Sequence, residues 1–302
     1  MSRLVIGALL ALAAAAAGAQ AQPEPVVTAE AVAPGVWVLY GNGGNIGVSA
    51  GADGVFLIDD QYANMTPAVE KALAAIDPAA PRFVINTHWH HDHTGGNENL
   101  AARGSVVVAH DRVRERMSTE QFSEFFQRTT PPSPAGALPV VTFSDNLSLH
   151  VNGDELRSAY AVNAHTDGDV FIHFRRANVI HTGDLMFHAM YPFVDLDSGG
   201  SVAGVIAAVD RMLALADDRT RVIPGHGKVT DRKGLEEYRQ LLVTTRERMR
   251  ERVQAGRTLE EVLAEKPFAD YDGKLAWQFI TAERYVRILY RDAVRELSPG
   301  RT

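Results

Sequence analysis

A heptapeptide of metal-binding residue types, Thr-His-Trp-His-His-Asp-His, occupies residues 87–93 of this chain. An apolar run at residues 83–85 ends one residue before it, and a double glycine begins one residue after it. His88 and His90 are two residues apart, so both side chains leave the same face of an extended segment. The turn that follows would direct Asp92 and His93 towards a second position beside the first. Because neutral imidazole with carboxylate suits zinc or a similar metal, the segment predicts a metal site at a strand end.

A centre for two metals needs more ligands than one heptapeptide supplies, and these should come from strand ends or from loops after strands. Three residues meet this requirement. His165 follows one predicted strand and Asp184 follows another. His226 lies in Pro-Gly-His-Gly at residues 224–227, where glycine lets the backbone approach a metal closely.

The order, type and approximate spacing of these residues resemble the His-x-His-x-Asp-His signature and distal ligands of the metallo-β-lactamase superfamily. The resemblance implies an α/β fold of four layers, the αβ/βα sandwich of this family. It also implies two zinc ions, although a set of His and Asp ligands accepts iron or manganese as well.

The same resemblance implies a role for each ligand. One metal would be held by three imidazoles, those of His88, His90 and His165. The other would be held by Asp92, His93 and His226, with Asp184 bridging both metals. Asp59 is similar to the family's supporting acid that orients the metal loop, and His181 is a weaker candidate for a supporting contact.

The chemistry implied by the resemblance is hydrolysis. Two metals about 3.5 to 4 Å apart share a water whose pKa falls towards about 7, which provides a metal-bridging hydroxide as the nucleophile. Asp92 is the candidate catalytic residue, since it could orient this hydroxide and relay a proton to the departing atom.

Two stretches are candidates for the wall of a substrate pocket. The pocket residues expected beside the ligands are Trp89, Phe187, His188, Tyr191 and Phe193. Tyr191 could offer a hydroxyl to an oxyanion, but a loop packed on the core is an equal alternative for this aromatic segment. The other stretch, residues 112–139, has three phenylalanines at helical spacing before a proline-rich segment, which indicates either a lid or ordinary packing.

The substrate is set by loops rather than by the fold. The best-known metallo-β-lactamases have Cys or Ser in place of the bridging Asp, and many have a lysine three residues later that holds the drug's carboxylate. This chain has Asp184 and Phe187 at these positions, which is more similar to the glyoxalase II and lactonase branches.

The favoured function is an exported dinuclear zinc hydrolase that opens a cyclic amide or ester bond and is β-lactamase-like. One alternative is a lactonase or a glyoxalase II-like thioesterase of the same superfamily. An alternative of another class is a non-catalytic periplasmic protein that handles a metal or cofactor. A complete ligand set argues against the last, because structural zinc sites usually close with four ligands and leave no place for water.

Residues 1–21 predict a cleavable signal peptide that would place the mature chain, residues 22–302, in the periplasm. Arg3 precedes an apolar stretch that is shorter than the roughly 20 residues needed to span a membrane. A small-x-small pattern then ends at Ala21. A membrane anchor is the alternative interpretation, but no stable span is expected in the mature chain.

Composition excludes several other classes. The chain has no cysteine, so disulfides, thiolate ligands and thiolate nucleophiles are excluded. A formal net charge of −7, with no cluster of basic residues, argues against nucleic acid as a partner and leaves a small-molecule substrate. The oligomeric state is not predicted by any pattern in the chain.

The end of the chain, about residues 231–302, predicts a helical extension to the hydrolase domain. Apolar spacing indicates a long amphipathic helix closed by Gly256, and Thr258 with Glu261 forms a capping box for a short helix. A last helix follows Thr281. We interpret this extension as packing material.

Overall fold

The computed structural model describes residues 25–297, and the predicted signal peptide therefore lies outside the described residues. Within them, fifteen strands form a seven-stranded sheet, a six-stranded sheet and a two-stranded hairpin. The strands are β1 (Thr28–Ala33), β2 (Val36–Tyr40), β3 (Ile46–Gly51), β4 (Gly54–Ile58), β5 (Pro81–Ile85), β6 (Val106–His110), β7 (Gln121–Ser123), β8 (Arg128–Thr130), β9 (Val141–Phe143), β10 (Asn146–Val151), β11 (Asp154–Tyr160), β12 (Val170–Phe174), β13 (Val179–His181), β14 (Arg221–Ile223) and β15 (Thr230–Asp231).

The same part of the chain contains nine α-helices. They are α1 (Thr66–Ala74), α2 (His91–Thr94), α3 (Asn97–Ala101), α4 (Asp111–Met117), α5 (Val202–Leu215), α6 (Arg232–Gln254), α7 (Leu259–Glu265), α8 (Ala269–Leu275) and α9 (Ala282–Leu297). None of the helices among residues 25–297 is long and apolar enough to cross a membrane.

The first sheet has the order β1-β2-β3-β4-β5-β6-β9. Strands β1 to β4 form an antiparallel meander, with β1 at the edge of the sheet. Strands β4, β5, β6 and β9 are parallel. The carboxyl ends of these parallel strands therefore meet at one edge of the sheet, where loops can carry functional residues.

The second sheet has the order β10-β11-β12-β13-β14-β15. Its strands are antiparallel except for the pair β13 and β14. Because β13 and β14 run in the same direction, their carboxyl ends lie side by side, and the loops that follow the two strands are neighbours.

Alternation along the strands explains how the sheets stack. In β2, Val36 and Val38 belong to the apolar cluster between the two sheets, whereas Trp37 and Leu39 pack in the cluster between the first sheet and α1. A side-chain period of two separates the two faces in this way. The outer face of the second sheet is covered by α5, α6 and α9. The predicted four-layer αβ/βα sandwich is confirmed.

The helical tail follows its sequence signals closely. Asp231 caps the long helix α6, and earlier in the chain Ser201 caps α5. The capping box of Thr258 and Glu261 is present at the start of α7. The helices of the tail pack in one apolar cluster with the outer face of the second sheet.

The helical spacing of the three phenylalanines between residues 122 and 126 is misleading, because this stretch is the hairpin of β7 and β8. The chain reverses at residues 124–127, where Gln127 has a left-handed backbone and donates its N–H to the carbonyl of Glu124. Phe122 and Phe126 are exposed, and Phe125 is half-buried. Tight reversal therefore overrides the apparent helical period.

Candidate metal centre

All seven residues expected to bind metal lie together at neighbouring edges of the two sheets. The heptapeptide follows β5, and His165 lies in the connection between β11 and β12. Asp184 follows β13 and His226 follows β14. Each sheet thus contributes part of the cluster, because the ligands occupy loops at facing strand ends.

The first group consists of His88, His90, His165 and one oxygen of Asp184. The Nδ1 atom of His90 lies 3.1 Å from Nε2 of His88 and 2.9 Å from Nε2 of His165. The Oδ2 atom of Asp184 lies 3.9 Å from Nε2 of His88 and 3.6 Å from Nε2 of His165. Three ring nitrogens and a carboxylate oxygen therefore face a common point.

The second group consists of Asp92, His93 and His226, and the other oxygen of Asp184 faces it. The Oδ1 atom of Asp184 lies 3.1 Å from Nε2 of His93 and 3.5 Å from Nε2 of His226. The Oδ2 atom of Asp92 lies 3.6 Å and 3.3 Å from the same two nitrogens. The carboxylate of Asp184 thus faces one group with each of its two oxygens.

Two buried atoms at this centre, Nε2 of His93 and Oδ1 of Asp184, lie 3.1 Å apart but make no well-directed hydrogen bond among the described residues. Buried polar atoms of folded proteins are nearly always paired, so these two call for a partner that the protein itself does not supply. A divalent cation fits, since five imidazoles and two carboxylates form a suitable donor set. The residues present therefore fit two metal ions.

The far nitrogens of the imidazoles are held by the surrounding protein. Nδ1 of His93 bonds to Asp59, and Nδ1 of His165 bonds to the carbonyl of Phe193, at 2.8 Å and 2.9 Å. Nε2 of His90 lies 2.9 Å from the carboxylate of Asp195. Such contacts fix the tautomer and leave the opposite nitrogen free to bind a metal.

Asp59, the candidate supporting acid, contacts both Thr87 and His93 of the heptapeptide. Its Oδ2 accepts hydrogen bonds from His93 and from the hydroxyl of Thr87, and its Oδ1 accepts from the backbone N–H of Thr87. The residue is fully buried, and its backbone has a left-handed φ of 66°. It joins the end of β4 to the start of the heptapeptide.

Asp195 is a supporting residue that sequence reasoning missed. Besides bonding to His90, its carboxylate accepts from the hydroxyl of Ser198 at 2.6 Å and from backbone N–H groups of the same turn. An Asp followed three residues later by Ser is a turn signal that could have directed attention to it. The signal alone does not indicate a histidine partner.

We expect Asp195→Asn to weaken metal binding at the first group by about 10- to 100-fold, because the imidazole of His90 loses its charged partner. Competition with a chromogenic chelator measures the affinity. Asp210→Asn, a change at an exposed ion pair on α5, is the matched control and should leave the affinity unchanged. Equal affinity for wild type and Asp195→Asn would contradict this role.

Close approach at the centre depends on glycine. A Cβ atom at Gly44 would lie 2.1 Å from the imidazole of His93, and one at Gly225 would lie 2.1 Å from Oδ1 of Asp184. Next to Gly44, the side-chain amide of Asn45 donates to the carbonyls of Pro224 and Gly227, both at 2.8 Å. The first half of the chain thereby fixes the loop that carries the last histidine.

Burial lowers the pKa values of some ligand histidines, whereas neighbouring carboxylates raise those of others. Burial holds the pKa of His88 well below its ordinary value and lowers the pKa of His165 to about 4. Burial also opposes the charged forms of His93 and His226, but the carboxylates around them outweigh it. They raise the pKa of His93 well above its ordinary value and that of His226 to about 9. In the first group, Asp195 raises the pKa of His90 against the effect of burial.

We therefore expect metal binding at the second group to release protons and to strengthen with rising pH up to about 9. A raised pKa means that His93 and His226 are protonated at neutral pH without metal, whereas a ligand imidazole must be neutral. Titration calorimetry in two buffers of different ionisation enthalpy counts the protons. After dialysis at pH 6 the protein should retain one equivalent of metal less than after dialysis at pH 8, because the second group loses its metal first. Release of no proton would contradict the assignment.

Some of the expected supporting and pocket residues lie beside the ligands, and others do not. Trp89 donates its indole N–H to Ser198 and its ring lies 5.0 Å from that of His90. Phe187 is buried and stacks on His226 at 5.1 Å, while Phe193 lies 5.9 Å from His90. These three side chains are beside the ligands.

Tyr191 does not supply a hydroxyl to the centre, and that expectation is wrong. The residue is fully buried, and its hydroxyl donates to Asp272 at 2.7 Å because the ring packs into the helical tail against Tyr285. His188 is half-buried and its Nδ1 bonds to the carbonyl of Lys228. His181 bonds to the backbone of Asn45 and accepts from the N–H of Gly183, so it supports the loop before Asp184 rather than a ligand side chain.

The tail also reaches the centre, which corrects its interpretation as packing material alone. The ring of Trp277 lies 6.3 Å from that of His226. Phe279 lies 5.6 Å from Phe193 and 5.9 Å from Phe125 of the hairpin. Sequence reasoning missed both tail aromatics because they stand in the short link between α8 and α9, far from the heptapeptide.

Comparison with known proteins gives a family match. A family model described as the metallo-beta-lactamase superfamily matches residues 39–226. A hydroxyacylglutathione hydrolase from Erythrobacter litoralis is 31% identical over 105 residues, which are 34% of this chain and 34% of that protein. A metallo-beta-lactamase type 2 from Bacillus sp. is 28% identical over 152 residues, 50% of this chain and 53% of that protein. The chain spans between 34% and 61% of the length of the curated hydroxyacylglutathione hydrolases that it matches first.

Solved structures share the fold. A metallo-beta-lactamase from Pontibacter korlensis aligns with a TM-score of 0.60 at 18% identity, covering 72% of this chain and 98% of that one. A sec-alkylsulfatase from Pseudomonas sp. aligns with a TM-score of 0.66 at 20% identity, covering 88% of this chain and 50% of that one. The family model covers more than half of the chain and includes all seven clustered residues. The chain therefore belongs to the metallo-β-lactamase superfamily.

Proposed function

We propose that this protein is a dinuclear zinc hydrolase that cleaves an ester, thioester or cyclic amide bond, with esters and thioesters preferred. The observation that carries the proposal is the position of Asp184, whose Oδ2 faces the first group and whose Oδ1 faces the second. A carboxylate between two sets of imidazoles is the arrangement needed to share one ligand between two cations. Zinc is favoured because imidazole nitrogens form most of the donor set.

Two bound zinc ions would supply a water activated at neutral pH and a Lewis acid for the target oxygen. The protein's own part is to position these groups and to handle protons. Asp92 is the more accessible of the two carboxylates, with its side chain 21% exposed against 5% for Asp184. Asp92 is therefore the residue that can face substrate, and we assign to it the transfer of a proton to the departing atom.

The preference for esters and thioesters rests on Phe187. Its ring is 2% exposed and stacks on His226. Phe187 lies three residues after Asp184, at the position where many metallo-β-lactamases have the lysine that holds the carboxylate of the drug. An apolar ring there supplies no charge for that carboxylate. The curated relatives named hydroxyacylglutathione hydrolase support a thioester, since that name describes cleavage of an acyl thioester of glutathione.

A β-lactamase is the second candidate. The match to a metallo-beta-lactamase type 2 favours it, as does the predicted signal peptide, because β-lactams act outside the cytoplasm. We propose a periplasmic location on the sequence of residues 1–21 alone.

The function is tested with zinc-loaded protein and three substrates: nitrocefin, a long-chain acyl lactone and an acyl thioester. We expect turnover of the lactone or thioester that is lost on chelation and restored by zinc. Faster turnover of nitrocefin than of both others would replace the first candidate by the second. Absence of turnover on all three would support a non-catalytic metal-handling protein and contradict the proposal.

A further inference from the structure

Six aromatic rings from three distant segments form a continuous wall beside the metal centre. They come from the hairpin, from the loop after Asp184 and from the link between α8 and α9. The members of this aromatic wall are Phe125, Phe126, Phe187, Phe193, Trp277 and Phe279. Neighbouring rings are 4.8 to 6.4 Å apart, which is the range of favourable aromatic contact.

The wall touches ligands of both metal groups. Phe193 lies 5.9 Å from His90 and 5.7 Å from His165, which belong to the first group. Phe187 and Trp277 lie 5.1 Å and 6.3 Å from His226, which belongs to the second. A substrate bound across both groups would therefore lie beside the wall.

The wall also runs outward to solvent. Phe193 is 4% exposed, whereas Phe126 at the tip of the hairpin is 50% exposed and stacks on Phe279 at 5.8 Å. Rings that served only to pack the tail against the domain would be expected to lie inside. An exposed ring continuous with buried ones instead presents apolar surface between solvent and the rings beside the centre.

Hydrogen bonds hold the rings in place before any ligand binds. The backbone N–H groups of Glu124 and Phe125 donate to Asp197, which is also paired with Arg291 of α9. The indole of Trp277 donates to the carbonyl of Tyr191 at 3.0 Å. Ligand binding to such a preformed surface loses little conformational entropy.

We propose that the aromatic wall makes this enzyme selective for substrates that carry a medium or long apolar acyl chain, with Phe126 and Phe279 as the residues that determine specificity. This proposal rests on the proposed hydrolase function, because the acyl group must lie next to the bond that is cleaved. An acyl chain along the wall would leave the carbonyl at the metals and cover the rings from solvent.

The test measures binding of fatty carboxylates, which resemble the acid product, to the zinc-loaded full chain. Butyrate, hexanoate and octanoate are titrated by calorimetry against wild type, Phe126→Ala and Phe279→Ala. A fully buried methylene strengthens binding about fourfold, so we expect octanoate to bind at least about tenfold more tightly than butyrate to wild type. Both variants should lose most of this gain and bind butyrate within about twofold of wild type.

Phe122→Ala is the matched control, because Phe122 is 60% exposed in the same hairpin and is not a member of the wall. It should retain the full gain with chain length. Phe279→Leu, which keeps an apolar side chain, should restore part of the gain lost in Phe279→Ala. Zinc content and circular dichroism show whether each variant keeps the centre and the fold.

Equal affinity of wild type for all three carboxylates would overturn the proposal. So would a loss in Phe126→Ala and Phe279→Ala that is the same for butyrate and octanoate, since this indicates a purely structural role. Because binding is measured without turnover, the two proposals can fail separately. Chain-length selectivity without turnover of any lactone or thioester would contradict the hydrolase function and leave the wall as a binding surface.

Discussion

Asp184→Asn is expected to reduce turnover of the lactone or thioester substrate by more than about 100-fold. It should also lower the zinc content below two equivalents per chain. Loss of a group that merely supports a ligand already costs about 10- to 100-fold in affinity or activity, and Asp184 faces both groups directly. Asparagine keeps the shape of the side chain but removes the negative charge that would be shared between two cations. Steady-state kinetics and metal analysis on the same preparation measure both effects.

The fold should survive this substitution. Asparagine has nearly the same shape as aspartate and fits the same buried position, so the substitution removes the ion pairs of Oδ1 with His93 and His226 without changing the packing. The circular dichroism spectrum should therefore match that of wild type. A variant with two zinc ions and full activity would show that Asp184 does not bridge the centre.

Asp92→Ala should abolish measurable turnover while the fold remains intact. The variant loses a ligand of the second group and the carboxylate assigned to proton transfer, and a positioned proton donor or acceptor alone contributes about 10²- to 10⁴-fold. Unlike Asp184, Asp92 belongs to one group, so the first metal should remain bound. One retained equivalent of zinc together with absent turnover is the expected pair of results.

His91→Ala is the matched control for this variant. His91 lies inside the heptapeptide next to Asp92, but its side chain is exposed and packs near Tyr62 rather than at the centre. It should retain wild-type zinc content and turnover. Residual activity of Asp92→Ala within tenfold of wild type would contradict the catalytic role of Asp92.

The ligand set could be predicted from the sequence because its members follow local rules. The heptapeptide brings four ligand residue types together directly after β5, where the chain bends at residues 87–89 and then forms the short helix α2 instead of continuing the predicted extended segment. His165, Asp184 and His226 each follow a strand that apolar patterning had already indicated. Strand ends that meet at one edge then bring these residues together.

Other parts of the centre depend on contacts between distant segments that no local pattern encodes. Asp195 reaches His90 across 105 residues, and Asn45 reaches the His226 loop across about 180. The direction of a side chain in an irregular loop is equally hidden, which explains why Tyr191 was wrongly expected at the centre. The contribution of Trp277 and Phe279 follows from how α8 and α9 pack on the second sheet.

We propose that the carboxylate of Asp184 joins the two metal-binding groups into a single hydrolytic centre. Elemental analysis of the full chain after loading with zinc and removal of the excess tests this claim most directly. A carboxylate shared between two metal ions predicts two equivalents of zinc per chain. One equivalent or none, in protein that is folded, would contradict it.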